Sequence, residues 1–81
     1  MEIEYSRHLL DMLRERRIAE EWVEGVLAAP EHVENHDDGT RHLIGRIDER
    51  GGRWLRIIVN VKVQPPRGVT AFFDRRLRVE Q

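Results

Sequence analysis

The sequence predicts an α+β fold, in which two N-terminal helices pack on one face of an antiparallel sheet of three or four strands. Three observations indicate this fold. Apolar residues recur at helical spacing up to Pro30, alternate at strand spacing after His32, and the strand segments are separated by turns rich in Gly, Pro and Asp. A chain of 81 residues has the size of one domain, so we expect residues 1–81 to share a single core.

The first helix is expected over about residues 7–16. Ser6 is a residue type that caps helix N-termini, and the apolar stripe that follows has helical spacing. The stripe consists of Leu9, Leu10 and Leu13, with Met12 at its edge.

The second helix is expected over about residues 19–29. Glu20 and Glu21 suit the positive end of its dipole, and Pro30 ends it. Four apolar residues should form its buried face: Trp22, Val23, Val26 and Leu27.

The sheet is expected over about residues 32–73. Strands are predicted over residues 40–48, 53–63 and 69–73, with a possible short strand over residues 32–35. Gly51 and Gly52 allow the positive φ angles of a tight hairpin, and "QPPRG" forms a second turn because proline cannot donate to a strand ladder. Residues 74–81 are expected to form a polar tail or a brief helix.

Alternation along the strands sorts their side chains onto two faces. The helix-side face should hold Leu43, Ile47, Leu55, Ile57, Val59, Val61, Val69, Ala71 and Phe73. The opposite face should hold His42, Ile44, Arg46, Trp54, Arg56, Ile58, Asn60, Lys62, Thr70 and Phe72. The one acid that alternation adds there is Asp48 at a strand end. We therefore expect an electropositive face on which Arg46 and Arg56 lie together without neutralising carboxylates.

Charge is unevenly distributed along the chain. The net charge of −1 argues against a nucleic-acid-binding protein. Residues 1–38, however, hold eleven acids and four arginines, a balance of −7, whereas residues 39–81 hold ten bases and four acids, a balance of +6. Thirteen of the fourteen bases are arginine, which binds phosphate or carboxylate through two parallel hydrogen bonds. The alternative is that the two halves attract each other.

The polar face has the residue types that cleavage of RNA through the 2′-hydroxyl requires. His42 or His8 could transfer protons, because imidazole titrates near neutrality, and Arg46 and Arg56 could hold phosphate. RNA could also contact Trp54, Asn60, Lys62 and Phe72, since cations beside flat rings suit a phosphate with a stacked base. The plainer interpretation is that these residues form the solvated side of a one-sided sheet.

Other kinds of site are weakly indicated. His8 precedes Asp11 and Glu15 at helical spacing, which is also typical of a surface ion pair. The loop cluster of His32, His36, Asp37 and Asp38 is too flexible in spacing to predict a metal site, so we expect neither metal nor cofactor.

The chain has no cysteine and no apolar run long enough to cross a bilayer. We therefore expect a cytoplasmic protein without a membrane partner.

The segment "SRHLLDMLRERRIAEEWVEGVLAAPEHV" resembles the start of a small prokaryotic family, the domain of unknown function 4258. Positions of the family's pattern are taken by His8, Arg16, Ile18, Val23 and Pro30. The resemblance continues through "RHLIGR", "LRIIVNV" and "GVTAFF" and spans about residues 5–73. This chain departs from the family at Met12, where arginine is frequent, and at Phe72, where tyrosine is usual.

The family looks related to small toxins of the RelE and BrnT type, whose sheet face cleaves RNA. The resemblance thus implies a toxin-like endoribonuclease with an antitoxin partner that masks the basic face. In that hypothesis the catalytic residues would be His8, His42, Arg46, Arg56 and Thr70. Two alternatives stay open: a non-catalytic domain that binds RNA or protein through the sheet, and a homodimer that pairs through an open strand edge.

Overall fold

The computed structural model describes residues 2–77 and has an α+β fold with two helices and a five-stranded mixed sheet. In chain order the elements are β1 (Glu4–Tyr5), α1 (Arg7–Arg16), α2 (Glu20–Ala28), β2 (His32–Asn35), β3 (Thr40–Ile47), a 3₁₀ turn (Asp48–Arg50), β4 (Arg53–Asn60) and β5 (Arg67–Phe73). The strand order in the sheet is β1-β5-β4-β3-β2. The α+β class is confirmed, but the sheet is neither three- or four-stranded nor wholly antiparallel.

The strand missing from the prediction is β1. Its two residues, Glu4 and Tyr5, pair in parallel with Arg67 and Gly68 of β5. The backbone N–H of Ser6 extends the pairing by donating to the carbonyl of Gly68 at 3.0 Å. A two-residue strand shows no alternation, so its sequence carries no strand pattern.

Helix α1 has the predicted bounds. The Ser6 hydroxyl accepts a hydrogen bond from the backbone N–H of Leu9 at 3.0 Å, which satisfies one of the free donors at the helix start. Leu9 and Leu13 are buried, whereas Leu10, predicted for the same stripe, is 40% exposed. The apolar stripe is therefore narrower than predicted, and the helix packs chiefly over β5.

Helix α2 is one residue shorter at each end than predicted. Val23, Val26 and Leu27 are buried as expected, and Trp22 is half-buried with its ring edge against Phe73. The core lies between the two helices and the sheet. It contains Leu9, Leu13, Ile18, Val23, Val26, Leu27, Leu43, Ile47, Leu55, Ile57, Val59 and Ala71.

Two residues predicted for the core, Val61 and Val69, lie outside it. This strand ends at Asn60, three residues earlier than predicted, and Val61 is 36% exposed rather than buried. The N–H of Val61 donates to the carbonyl of Gly39, outside the β4–β5 ladder. In β5 a bulge places Gly68 opposite Val59 and leaves Val69 without a partner in the ladder, so Val69 is half-buried.

The remaining expectations concern the membrane and the C-terminal segment. Within residues 2–77, no helix is both long enough and apolar enough to cross a membrane. Of the predicted tail, residues 74–77 form a turn after β5, and residues 78–81 lie outside the described residues.

Candidate functional site

The face of the sheet opposite the helices, called here the outer face, carries most of the predicted site residues. The strand register places His42 opposite Ile58, and Ile58 in turn opposite Thr70. Arg56 lies opposite Phe72 on β5 and Ile44 on β3. Arg46 and Trp54 are also register partners, so alternation has assigned these side chains to the correct face.

Arg56 is the centre of a polar cluster on this face and is only 6% exposed. Its Nε donates to Oδ2 of Asp74 at 2.8 Å, and its Nη1 donates to Oε1 of Glu34 at 2.8 Å. The same Nη1 lies 2.8 Å from Nδ1 of His42. Together with His36 and Arg76, these residues form what we call the Arg56 network.

The two carboxylates of the Arg56 network are held in their charged form. Asp74 is 4% exposed and accepts hydrogen bonds from the side chain and backbone N–H of Arg76 as well as from Arg56. These bonds, with those from Arg76 first, hold the pKa of Asp74 well below its usual range. The hydrogen bond from Arg56, followed by that from His36, lowers the pKa of Glu34 to about 2.

His42 is held in one tautomer by Arg56. A guanidinium can only donate, so Nδ1 of His42 must accept and the proton of the neutral ring resides on Nε2. Burial lowers the pKa of His42 below its ordinary value of 6.5, and the nearby His36 and Arg56 lower it further. The ring also stacks on His36, with centroids 3.8 Å apart. At neutral pH His42 is therefore a hydrogen-bond donor rather than a proton acceptor.

Arg46, the second predicted phosphate ligand, is also paired. Its Nη2 lies 3.0 Å from Oε1 of Glu31, and its guanidinium lies 5.1 Å from the centre of the Trp54 ring. The same Glu31 side chain accepts from the backbone N–H of Arg46 at 2.7 Å. The hydrogen bonds from Arg46 lower the pKa of Glu31.

The expectation of an unneutralised electropositive face is therefore wrong. Glu31, Glu34 and Asp74 compensate the two predicted arginines. Alternation could have found two of these acids: Glu34 lies on β2 opposite His42, and Asp74 follows Phe72 by two residues. Glu31 lies in the connection before β2, where no strand pattern applies.

The other predicted residues are dispersed. The Trp54 side chain is buried beneath His32, with ring centres 5.2 Å apart, so its face is not open to a base. Asn60 lies at the other end of β4 from Trp54, and its side chain accepts a hydrogen bond from the backbone N–H of Lys62. His8 is exposed on α1, and the sheet lies between this helical layer and His42. His8 therefore does not join the outer-face residues.

Three residues of the Arg56 network are ligand types for a metal ion. Donor atoms of Glu34, His36 and His42 lie within 4.8 Å of one another. Arg56 already donates to two of these residues, and its charge would repel a divalent cation. The geometry therefore favours a guanidinium-centred network over a metal site.

A second polar region lies at the end of β5 and was not predicted. It is a hollow of about 340 Å³, called here the arginine hollow, between the end of α1, the β3–β4 hairpin and the residues after β5. Its lining residues are Arg16, Arg50, Arg53, Phe72, Phe73 and Arg75. Phe72 alone was among the predicted site residues.

The contacts that hold the arginines of this hollow are, within residues 2–77, not ion pairs. Arg50 and Arg53 lie 5.1 and 4.8 Å from the centre of the Phe73 ring, and Nη1 of Arg16 donates to the carbonyl of Ala71 at 2.8 Å. Between residues 2 and 77, no carboxylate pairs with any of the four hollow arginines. The cluster draws on three separate segments, so no local motif could reveal it.

Comparison with known proteins identifies a family. No curated protein and no solved structure matches the chain. The family model DUF4258, described as a domain of unknown function, matches residues 5–73, from the end of β1 to the end of β5. The chain therefore belongs to the DUF4258 family.

Proposed function

We propose that this chain is an RNA-binding domain that holds phosphate in the arginine hollow and does not cleave the RNA. The observation that carries the proposal is the convergence of four arginines on one hollow without a carboxylate partner among residues 2–77. Like charges that line one hollow repel each other, and a phosphate would offset that repulsion through charge-assisted hydrogen bonds. Arginine beside a phenylalanine ring is also a surface on which RNA bases and phosphates bind.

The geometry of the Arg56 network favours binding over cleavage. A general base for the 2′-hydroxyl must accept a proton, but Nε2 of His42 carries one and Nδ1 is engaged by Arg56. Arg46 and Arg56 have carboxylate partners and would have to release them to hold phosphate. His8 lies in the helical layer, beyond the reach of that face. These features weigh against the toxin-like endoribonuclease of the RelE or BrnT type.

The test is the binding of a short single-stranded RNA, followed by fluorescence anisotropy at several salt concentrations. The wild type should bind more weakly as salt rises. The logarithm of its binding constant should fall with the logarithm of the salt concentration, with a slope of about −0.7 for each phosphate contact. The variant Arg50→Gln/Arg53→Gln should bind more weakly, with a slope shallower by about 0.7, as expected when the one phosphate in the hollow is no longer held.

The matched control is Arg7→Gln/Arg67→Gln, which removes the same charge from exposed positions at the start of α1 and the start of β5. Helix α1 separates Arg7 from Arg16 by about 14 Å, and β5 separates Arg67 from Phe73 by about 20 Å. The control's affinity should stay within about twofold of the wild type, because screening weakens charges more than roughly 10 Å away at 0.1 M salt. Equal losses in the two variants would contradict a local site. RNA that is shortened by the wild type but not by His42→Ala would instead support the endoribonuclease.

A further inference from the structure

We infer that the arginine hollow recognises a terminal phosphate monoester of RNA rather than an internal phosphodiester, an inference that rests on the proposed RNA binding. The first argument is charge. An internal phosphodiester carries one negative charge, whereas a monoester, with a second pKa of about 6, carries nearly two at neutral pH. Four guanidinium groups that form no ion pair within residues 2–77 lie around one hollow and match the more concentrated anion.

The second argument is the distribution of free cations. A surface that follows an RNA backbone needs a row of available positive charges along it. Outside the hollow, Arg46, Arg56, Arg67 and Arg76 each form an ion pair with a carboxylate. Arg41 donates to the neutral side chain of Asn35 instead. Within residues 39–77, three of the four arginines that form no ion pair, Arg50, Arg53 and Arg75, therefore lie around this one hollow, which suits recognition of a chain end.

The third argument is the way the donors are held. Contact with the Phe73 ring orients the planar guanidinium groups of Arg50 and Arg53. Arg16 uses Nη1 to bind the Ala71 carbonyl, and its other nitrogens form no hydrogen bond within residues 2–77. A monoester offers three terminal oxygens to such donors, one more than a diester. The volume of about 340 Å³ lies near the lower end of the roughly 300–1,000 Å³ typical of small-ligand sites.

The experiment compares three RNAs of one sequence that carry the fluorophore at an internal position. One has a 5′-monophosphate, one has a 3′-monophosphate, and one has hydroxyls at both ends. At least one phosphorylated RNA should bind about ten- to a hundredfold more tightly than the hydroxyl form, the effect of an added charge-assisted contact. The arm that shows the preference identifies the recognised end, and inorganic phosphate should compete with that RNA.

The preference for the phosphorylated RNA should be lost in Arg50→Gln/Arg53→Gln and persist in Arg7→Gln/Arg67→Gln. Arg75→Gln should weaken it in the same direction, and because Arg75 is exposed, this variant separates loss of binding from loss of folding. Equal affinity for all three RNAs would overturn the terminal-phosphate inference but leave the proposed RNA binding standing. Absence of binding to any RNA would overturn both, and a preference that survives in Arg50→Gln/Arg53→Gln would overturn the assignment to the hollow.

Discussion

At the scale of single residues, the outer face depends on how the buried charge of Arg56 is satisfied. Removing a guanidinium from water costs several kcal/mol, which paired and hydrogen-bonded partners must offset. Asp74 and Glu34 supply two charged acceptors, and Nδ1 of His42 supplies a neutral one. The arginine that alternation favours as a phosphate ligand is therefore a structural residue in this chain.

Loss of Asp74 should destabilise the fold far more than loss of an exposed partner. Asp74→Ala should lower the free energy of unfolding by about 3 kcal/mol, at the lower end of the range for breaking a buried pair, because Glu34 still contacts Arg56. The control is Glu4→Ala, whose pair with Arg67 spans 3.4 Å between side chains 56% and 53% exposed. This control should cost less than about 0.5 kcal/mol in urea unfolding. Equal costs would show that Arg56 does not depend on Asp74.

His42 should make the protein less stable as pH falls from about 7 to about 5. Its pKa is below the ordinary 6.5, so in this range the unfolded state binds the proton more readily than the folded state. The charged and titratable groups around it are His36, Arg56, Glu34 and Asp38.

The lowered pKa of Glu34 places its own titration below this window. His42→Asn keeps an acceptor for Arg56 but removes the titrating ring. As pH falls, the unfolding free energy of this variant should therefore decrease less steeply than that of the wild type. The two slopes cannot differ by more than about 1.4 kcal/mol per pH unit, the limit for one proton. Parallel pH profiles in urea unfolding would show that His42 titrates alike in both states.

At the scale of elements, two glycines show whether a methyl group can be added to a helix and to a strand. A Cβ on Gly25, in α2, would meet no atom within 4 Å, so Gly25→Ala should raise the unfolding free energy by about 0.5–1 kcal/mol. A Cβ on Gly68, in β5, would lie 2.7 Å from Cδ2 of Leu9 and 3.0 Å from Cδ1 of Ile3. Gly68→Ala should therefore lower the free energy of unfolding by about 1–3 kcal/mol. Urea unfolding measures both, and a stable Gly68→Ala would mean that α1 shifts freely over β5.

The sequence predicts an element correctly where contacts between residues close in the chain determine it. The bounds of α1 follow from the Ser6 cap and the spacing of Leu9 and Leu13, which act within one or two turns. The end of β4 and the pairing of β1 depend on contacts between distant segments, such as the hydrogen bond from Val61 to Gly39. The same distinction holds for the site: alternation assigned Arg56 to its face, but only the fold brings Asp74 and the arginines of the hollow into place.

At the scale of the whole molecule, the net charge of −1 is a weak argument against RNA binding. The described residues span about 38 Å along the longest axis, whereas the Debye length at 0.15 M salt is about 8 Å. A ligand in the arginine hollow therefore experiences the nearby guanidinium groups and little of the acidic residues at the far end. Local composition, rather than the sum over the chain, decides binding under these conditions.

Asp37 and Asp38 test this argument, because they lie in the turn between β2 and β3 while Arg50 and Arg53 lie beyond the other end of β3. The eight residues of β3 separate them by about 26 Å. Asp37→Asn/Asp38→Asn should strengthen RNA binding by about 1.5- to twofold at 10 mM salt, where the Debye length is about 30 Å, and leave it unchanged at 0.15 M. Anisotropy titrations at the two salt concentrations measure the difference. An effect that persists at the higher salt would place the bound RNA near this turn instead of in the arginine hollow.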